Sequence, residues 1–295
     1  AGRGEAGFSG DGAAAQEAKL DGPWGLAMDQ VGNLYVADRG NHRIRKVSPG
    51  AIAPPLPPPV VEETSLRIWH GAMLEATAVA PGMLVTLQGT GIGPATPMSG
   101  SVGAAGALSA TLGDTQVRIG GKAAPILYAQ ENLINVQAPY SIAGLQTVKM
   151  EVVRGGQVRG TASATVKPFV PGIFTAGSGS GPANATNEDL SVNQAGSGAA
   201  RGGLLTFYAT GEGMIEPALV EGKLADVPYP VPAGPVAVSI DGKAAEIVGM
   251  GAAATSPGVL QVTVRVPAQA GSGPAPLLLT VGGVSSQAGV TVFVK

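Results

Sequence analysis

The sequence predicts an all-β chain: two β-sandwiches in tandem, behind a short and separate β segment. Three observations predict it. Apolar and polar residues alternate over runs of about four to eight residues, the period of half-buried strands. The 46 glycines and 24 prolines among 295 residues would by amount alone approach a disordered composition, yet they fall between the apolar runs, where turns belong. Most of the chain after residue 80 also repeats itself.

The first segment is read from Trp24 to Ser48. Gly25–Met28, Asn33–Ala37 and Arg43–Val47 look like three short strands, separated by "DQVG" and "DRGNH", whose residues tolerate turn geometry. Together with "FSGDG" and "LDGPWG" upstream, this stretch resembles an NHL repeat, the blade unit of NHL β-propellers. Gly22-Pro23-Trp24-Gly25, Asn33-Leu34-Tyr35-Val36-Ala37-Asp38 and Asn41-His42-Arg43-Ile44-Arg45 carry the resemblance, which covers about residues 6–48. A propeller takes about four to eight blades, because a single blade cannot bury its own faces. The expectation is therefore that further blades preceded this one, or that the orphan blade docks on a neighbour. Some NHL propellers bind RNA on a charged face, and Arg39, His42, Arg43, Arg45 and Lys46 form a basic cluster here. With a formal net charge of −2 and no stacking aromatics noted beside them, these side chains are expected to alternate along an outer strand and face water.

The strongest boundary follows. "PGAIAPPLPPPVVEETS" contains five prolines between Pro54 and Pro59, which favour an extended polyproline II spacer over a sheet; a PxxP ligand is the alternative. The expected organisation is a blade segment over 1–48, a linker over 49–65, and sandwiches over 66–172 and 173–295.

The duplication is direct. "APGMLVTLQGTGIGP" from Ala80 aligns with "ARGGLLTFYATGEGM" from Ala200, and "VRIGGKAAPI" from Val117 with "VSIDGKAAEI" from Val238. "INVQAP" from Ile134 pairs with "VTVRVP" from Val262. Shared order with drifting spacing is what duplicated domains with unequal loops give. Lys122 should then superpose on Lys243, and Pro139 on Pro267. Period-2 alternation runs through both copies, as in Met83/Val85/Leu87, Val117/Ile119 and Ile134/Val136 of the first and Val238/Ile240, Val262/Val264 and Leu277/Leu279/Val281 of the second. The "GTGIGP" turn and "IGGKAAPI" hairpin resemble IPT/TIG-type immunoglobulin-like domains, so the resemblance implies tandem immunoglobulin-like sandwiches. Residues 80–295 also resemble the C-terminal β-region that follows NHL propellers in secreted bacterial proteins of unknown function, where "PGIFT" (Pro171–Thr175) and "VLQVTVRVP" recur. "RIWHGAMLEATAV" (Arg67–Val79) departs from that pattern.

Little in the sequence carries chemistry. There is no cysteine, which removes thiol catalysis and thiolate metal sites, and the only histidines are His42 and His70. "GMGAAA" (Gly249–Ala254) fits a dinucleotide pattern, but Ser256-Pro257-Gly258 follows where a helix is needed, so a loop between strands is expected. "GTGIG" lacks the Lys and Ser/Thr of a phosphate loop, and no G-x-S-x-G elbow occurs. His70 beside Trp69 reads as packing. Asn187, Glu188, Asp189 and Asn193 could offer hard oxygens to calcium, yet they lack the alternating acidic loop and read as a hairpin tip. Asn184-Ala185-Thr186 is a formal glycosylation sequon. Asp114, Asp226 and Asp241 fall at turns. "VPYPVPAGPVAV" (Val227–Val238) is an insertion with Tyr229 as a possible anchor, and "KPFVPGIF" (Lys167–Phe174) sits where the sandwiches would meet. No catalytic, cofactor-binding or metal-ligating residue is expected.

No apolar run reaches the roughly 20 residues a membrane-spanning helix needs, and the start of the sequence shows no signal-peptide pattern. The functional expectation is a non-enzymatic extracellular or cell-surface protein, structural or adhesive, that binds another protein (itself head-to-tail, into a filament) or a surface polysaccharide, and no nucleic acid. The alternative is the C-terminal accessory part of a secreted NHL-propeller enzyme or ligand-binding protein whose site lies in upstream blades.

Overall fold

The computed structural model describes residues 2–30, 33–48, 64–73, 78–177 and 179–295. The chain divides into two compact units, residues 1–60 and 61–295. Most of the stretch expected to be a linker, residues 49–63, lies outside the described residues.

The N-terminal unit is one antiparallel sheet of Pro23–Met28, Leu34–Asp38 and Arg43–Val47, with Leu34–Asp38 in the middle. The ladder shifts between Pro23 and Gly25, so Trp24 is the extra residue of a bulge. Asp38 leads into a single 3-10 turn over Arg39–Asn41, closed by His42 in the left-handed region at φ 51°.

The second unit contains two sandwiches. In the first, one sheet orders Lys122–Ala124, Thr115–Ile119, Thr147–Arg154 and Gln157–Val166, with Thr64–Ser65 paired parallel on its edge. The facing sheet orders Arg67–His70, Leu84–Gln88, Leu133–Gln137, Ile126–Gln130 and Met98–Ser99. The expected alternation is the packing pattern: Met83, Val85, Leu87, Val117, Ile119, Ile134, Val136 and Met150 are fully buried between the sheets. In the second sandwich Leu205, Phe207, Val262, Val264, Ile240 and Leu279 do the same. The protein is all-β, with tandem immunoglobulin-like sandwiches and a separate blade-like segment.

Strand order repeats between the sandwiches. Leu84–Gln88 pairs with Leu133–Gln137 as Leu204–Thr210 pairs with Leu260–Arg265. Lys122 and Lys243 both open the strand after a tight turn, opposite Ile119 and Ile240. Pro139 and Pro267 both follow the strand that pairs with the first long strand of their copy, Leu133–Gln137 and Leu260–Arg265. Even an irregularity is shared: the register shifts between Ile126 and Tyr128 and, at the aligned position, between Ile247 and Gly249.

One substitution between the copies changes the architecture. In the second copy Lys243–Ala252 is a single strand whose start pairs with Val236–Ile240 and whose remainder pairs with Leu260–Arg265, so it passes from one layer to the other. Pro125 stands where Glu246 does, and the corresponding strand is cut into Lys122–Ala124 and Ile126–Gln130. Proline has no N–H for the ladder and a fixed φ, so the first sandwich is two separate sheets while the second is one folded sheet. The expected loop at "GMGAAA" is corrected here: Gly249–Ala252 are strand residues, because the long strand continues through them.

Two aligned glycines test the packing. Gly82 and Gly202 have φ of 75° and 78°. A Cβ on Gly82 would overlap the buried Tyr140 ring, whereas one on Gly202 meets nothing within 4 Å. Gly202→Ala should lose only the left-handed strain, about 1–2 kcal/mol. Gly82→Ala should lose that plus an overpacking penalty of about 1–3 kcal/mol. Urea unfolding of both variants should show the larger drop in midpoint for Gly82→Ala.

Candidate functional site

Five exposed large apolar side chains, Phe8, Trp24, Leu26, Met28 and Ile44, belong to the N-terminal unit. Residues 2–22 lie over one face of its sheet. Ala18 and Val36 are its only buried apolar residues among those described. Arg45 laces this segment down: its guanidinium donates to the carbonyls of Lys19 at 2.9 Å and Ser9 at 3.0 Å and pairs with Asp11. Asn41 donates from its amide to Gly7 O and to Asp38. Beyond that cover, Trp24, Leu26, Met28 and Ile44 are 82, 71, 73 and 75% exposed. Register puts Leu26 on the face of Val36 and Arg45, and Ile44 on the opposite face with Ala37. Both faces of one sheet therefore show apolar side chains to solvent.

The basic cluster differs from expectation in two ways. Arg45 does not face water, since its side chain is 9% exposed beneath the N-terminal segment. Aromatic rings do accompany the cations: Arg43 lies 4.1 Å from the centroid of Phe8, Arg39 5.5 Å from Trp24, and Lys46 5.9 Å from Tyr35. These contacts set the cations against the ring faces and cover part of the rings. His42 is an exposed turn residue whose backbone N–H bonds Arg39 O.

In the second unit the buried titratable groups, His70, Glu212 and Tyr140, gather at the junction between sandwiches. His70 is buried. Its Nδ1 accepts from the Ala72 N–H at 3.0 Å, which places the proton on Nε2, and that atom donates to Val170 O at 2.8 Å. Burial holds its pKa below the usual histidine range, with the Val170 bond opposing, and both ring nitrogens are taken. His70 is a clamp, as the packing reading expected. Across the junction, the Thr210 hydroxyl accepts from Leu84 N at 2.9 Å and donates to Gly258 O at 2.6 Å. The Gln137 carboxamide oxygen accepts from Gly222 N at 2.7 Å. Phe169 lies where a Cβ on Gly213, Gly234 or Gly282 would have to go, so "KPFVPGIF" packs the sandwiches together.

Glu212 was missed by sequence reasoning. It is buried, one of its carboxyl oxygens has no hydrogen-bond partner among the described residues, and burial pushes its pKa up to about 8, opposed by the N–H groups of Glu212 and Gly211. It is thus a neutral acid at pH 7. Tyr140 is held above the usual phenol range by burial, then by Glu212 and Glu221. The signal was available: Glu212 aligns with the fully buried Ile92 of the first copy.

The oxygens considered for calcium are engaged within the fold. Asn187 and Asn193 are buried; the Asn193 amide donates to Asn187 Oδ1 at 2.8 Å, and Asn193 Oδ1 accepts from Phe293 N at 2.7 Å. Glu188 accepts from Leu204 N, and Asp189 accepts from Ser191. Thr186 and Val192 bridge, so the segment is the hairpin tip expected. Asp114 bonds Arg154, Asp226 lies 3.9 Å from Lys223, and Asp241 caps the turn before Lys243. Tyr229 is 46% exposed and packs beside Gly251. Among the described residues, no helix is long and apolar enough to cross a membrane.

The comparisons bear on the blade. Residues 20–47 match the NHL repeat model. A 41-residue stretch is 56% identical to Teneurin-1 of Homo sapiens, a match that covers 14% of this chain and 2% of that protein. Among solved structures, the chain is similar to SGBP-B from a complex xyloglucan utilization locus in Bacteroides uniformis, with 12% identity, TM-score 0.24, and coverage of 77% of this chain and 48% of that one. It is also similar to the SGBP-B of the Bacteroides ovatus mixed-linkage glucan utilization locus in complex with a mixed-linkage heptasaccharide, at 11% identity and TM-score 0.32, covering 96% of this chain and 56% of that one. The chain thus spans about half the length of these structures.

The junction groups give stability a definite pH dependence. Between about 4.5 and about 8, native Glu212 keeps a proton that the unfolded chain releases, so stability falls as pH rises. His70 has the opposite sign: below its ordinary value of 6.5 the unfolded chain takes up a proton that the native ring refuses, so stability falls as pH drops. From pH 7 to 8, where an unfolded histidine is mostly neutral, the Glu212 effect dominates and amounts to about 1 kcal/mol. Chemical denaturation across that range should show the decline in the parent chain and a flatter profile in Glu212→Gln.

Proposed function

We propose that this chain is a non-enzymatic structural and adhesive protein of the cell exterior, and that the N-terminal blade-like sheet is where it engages another sheet. The observation that carries this reading is the exposure of Trp24, Leu26, Met28 and Ile44 on both faces of a three-stranded unit. Exposed apolar clusters of this size on a small sheet mark interaction surfaces, and a three-stranded sheet with two open edges is marginal alone. The second unit supports a scaffold role: both ring nitrogens of His70 are engaged in hydrogen bonds, and the apolar side chains gather into two buried clusters. The occupant is another sheet of the same kind, supplied by a second copy stacked head-to-tail, and a non-closing contact of that type grows a filament. A second reading is favoured by the match to the NHL repeat: the same two faces would pack between other blades of a propeller.

Light scattering and negative-stain electron microscopy of the full chain test the self-association. Concentration-dependent growth in mass is expected, and Trp24→Ser together with Ile44→Ser should reduce it at least tenfold while leaving the unfolding of the second unit unchanged. A chain that stays monomeric at high concentration, with or without the substitutions, rules out association between copies and leaves the propeller reading.

A further inference from the structure

The outer face of the first sandwich carries a row of side chains that packing does not explain. Register places Trp69 beside Thr86, Thr86 beside Asn135, Asn135 beside Tyr128 and Tyr128 beside Ser99, all on one face across five strands. The next rung on that face carries Arg67, Gln88, Leu133 and Gln130. The bulge at Leu127 is what aligns Tyr128 with this face, since without it Ile126 and Tyr128 would share the interior. The polar groups are held in place: Trp69 Nε1 donates to Gln88 Oε1 at 3.2 Å, Thr86 to Asn135 Oδ1 at 2.8 Å, and Tyr128 to Gln130 Oε1 at 2.7 Å. In each case the amide uses its oxygen, and among the described residues the amide nitrogens of Gln88 and Asn135 make no hydrogen bond. A groove of about 340 Å³ opens beside Trp69, Thr86, Gln88 and Leu133, and its described lining holds no charged side chain. That volume falls in the range of small-ligand clefts, about 300–1,000 Å³.

We propose that this face binds a neutral polysaccharide, with Trp69 and Tyr128 as stacking platforms and the Gln88 and Asn135 amides as hydrogen-bond donors to sugar hydroxyls. A pyranose ring presents an apolar C–H face and a rim of hydroxyls, which is the chemistry of an aromatic ring flanked by amides. Trp69 and Tyr128 are three strand spacings apart, about 14 Å, the span of a short oligosaccharide. The described groove lining is uncharged and offers an acidic chain no ion pair; Arg67 stands beside Gln88 on the neighbouring rung, outside that lining. The second sandwich provides an internal comparison. At the positions of Trp69, Thr86, Asn135 and Tyr128 it has Thr186, Thr206, Thr263 and Gly249. Both ring platforms are absent there, and Tyr229 of the 227–238 insertion lies over the neighbouring Gly251. This proposal deepens the adhesive reading and rests on it for its setting, but it uses none of the N-terminal residues.

Calorimetric titration of the full chain with cellohexaose, laminarihexaose and maltohexaose, and with hexagalacturonate as an acidic comparison, tests it. Saturable binding of at least one neutral hexasaccharide is expected, weakened tenfold or more by Trp69→Ala and several-fold by Gln88→Ala. Tyr208→Ala, on the same face of the second sandwich, should leave it unchanged. Gln88 is exposed, so its variant keeps the test valid where Trp69→Ala loosens the fold. No binding of any neutral hexasaccharide, binding indifferent to both substitutions, or preference for hexagalacturonate overturns the proposal. Association through Trp24 and Ile44 is read in a separate assay, so failure of either idea leaves the other standing.

Discussion

The second unit depends on a few buried polar side chains that complete the backbone of the opposite sandwich. Thr210 is the clearest. Its hydroxyl accepts from Leu84 N in the first sandwich and donates to Gly258 O in the second, so neither backbone group is left unpaired where water cannot reach. His70 holds Val170 from one side, and Gly211 O accepts from Val170 N on the other. Removing one partner from such a set leaves a buried group unsatisfied, at about 1–3 kcal/mol. Because these bonds need particular donors at particular positions, they fix how the sandwiches meet more sharply than apolar packing would. Phe169 then fills the space left by three glycines. Residues 61–295 consequently form one compact unit, although the sequence reads as two copies of one domain.

The two copies have diverged where a duplicated fold is free to do so. Inward positions keep apolar character, since either loss of volume or an added charge would be felt in a close-packed core. Outward positions answer only to solvent and ligand. There the first copy has Trp69 and Tyr128 while the second has Thr186 and Gly249. The exception is the inward pair Ile92 and Glu212. A carboxyl in place of a core isoleucine survives only by staying protonated, and its pKa near 8 is the record of that compromise.

Period-2 alternation and turn chemistry made the all-β class, the strand Arg43–Val47 and the aligned Lys122/Lys243 turns legible in the sequence, because these depend on neighbours along the chain. What depends on cross-strand register was not legible. Trp69, Thr86, Asn135 and Tyr128 are scattered over 67 residues, and only the pairing of four strands, with a bulge at Leu127, puts them in one row. Arg45 was expected in water because alternation alone cannot show that residues 2–22 fold over its face. "GMGAAA" was expected as a loop because Ser256-Pro257-Gly258 turns the chain soon after it, yet the ladder with Leu260–Arg265 extends through Ala252. Glu212 could have been found by aligning the copies residue by residue and asking which charge replaces a core side chain.

The magnitude of the exposed blade surface limits what it can do. Fully burying a large apolar side chain is worth roughly 1.5–3 kcal/mol, so the four on the N-terminal sheet could contribute roughly 6–12 kcal/mol to a contact. Bringing two proteins together loses about 4–15 kcal/mol of rigid-body freedom. The two ranges overlap, so one such contact between free copies is weak by itself. It becomes firm when the partner sheet is already tethered close by, because a second contact within an assembly is effectively intramolecular. A neutral polysaccharide bound along the first sandwich would supply such tethering by gathering many copies on one chain. On the two proposals above, a weak blade contact and a sugar contact would therefore reinforce each other in an array.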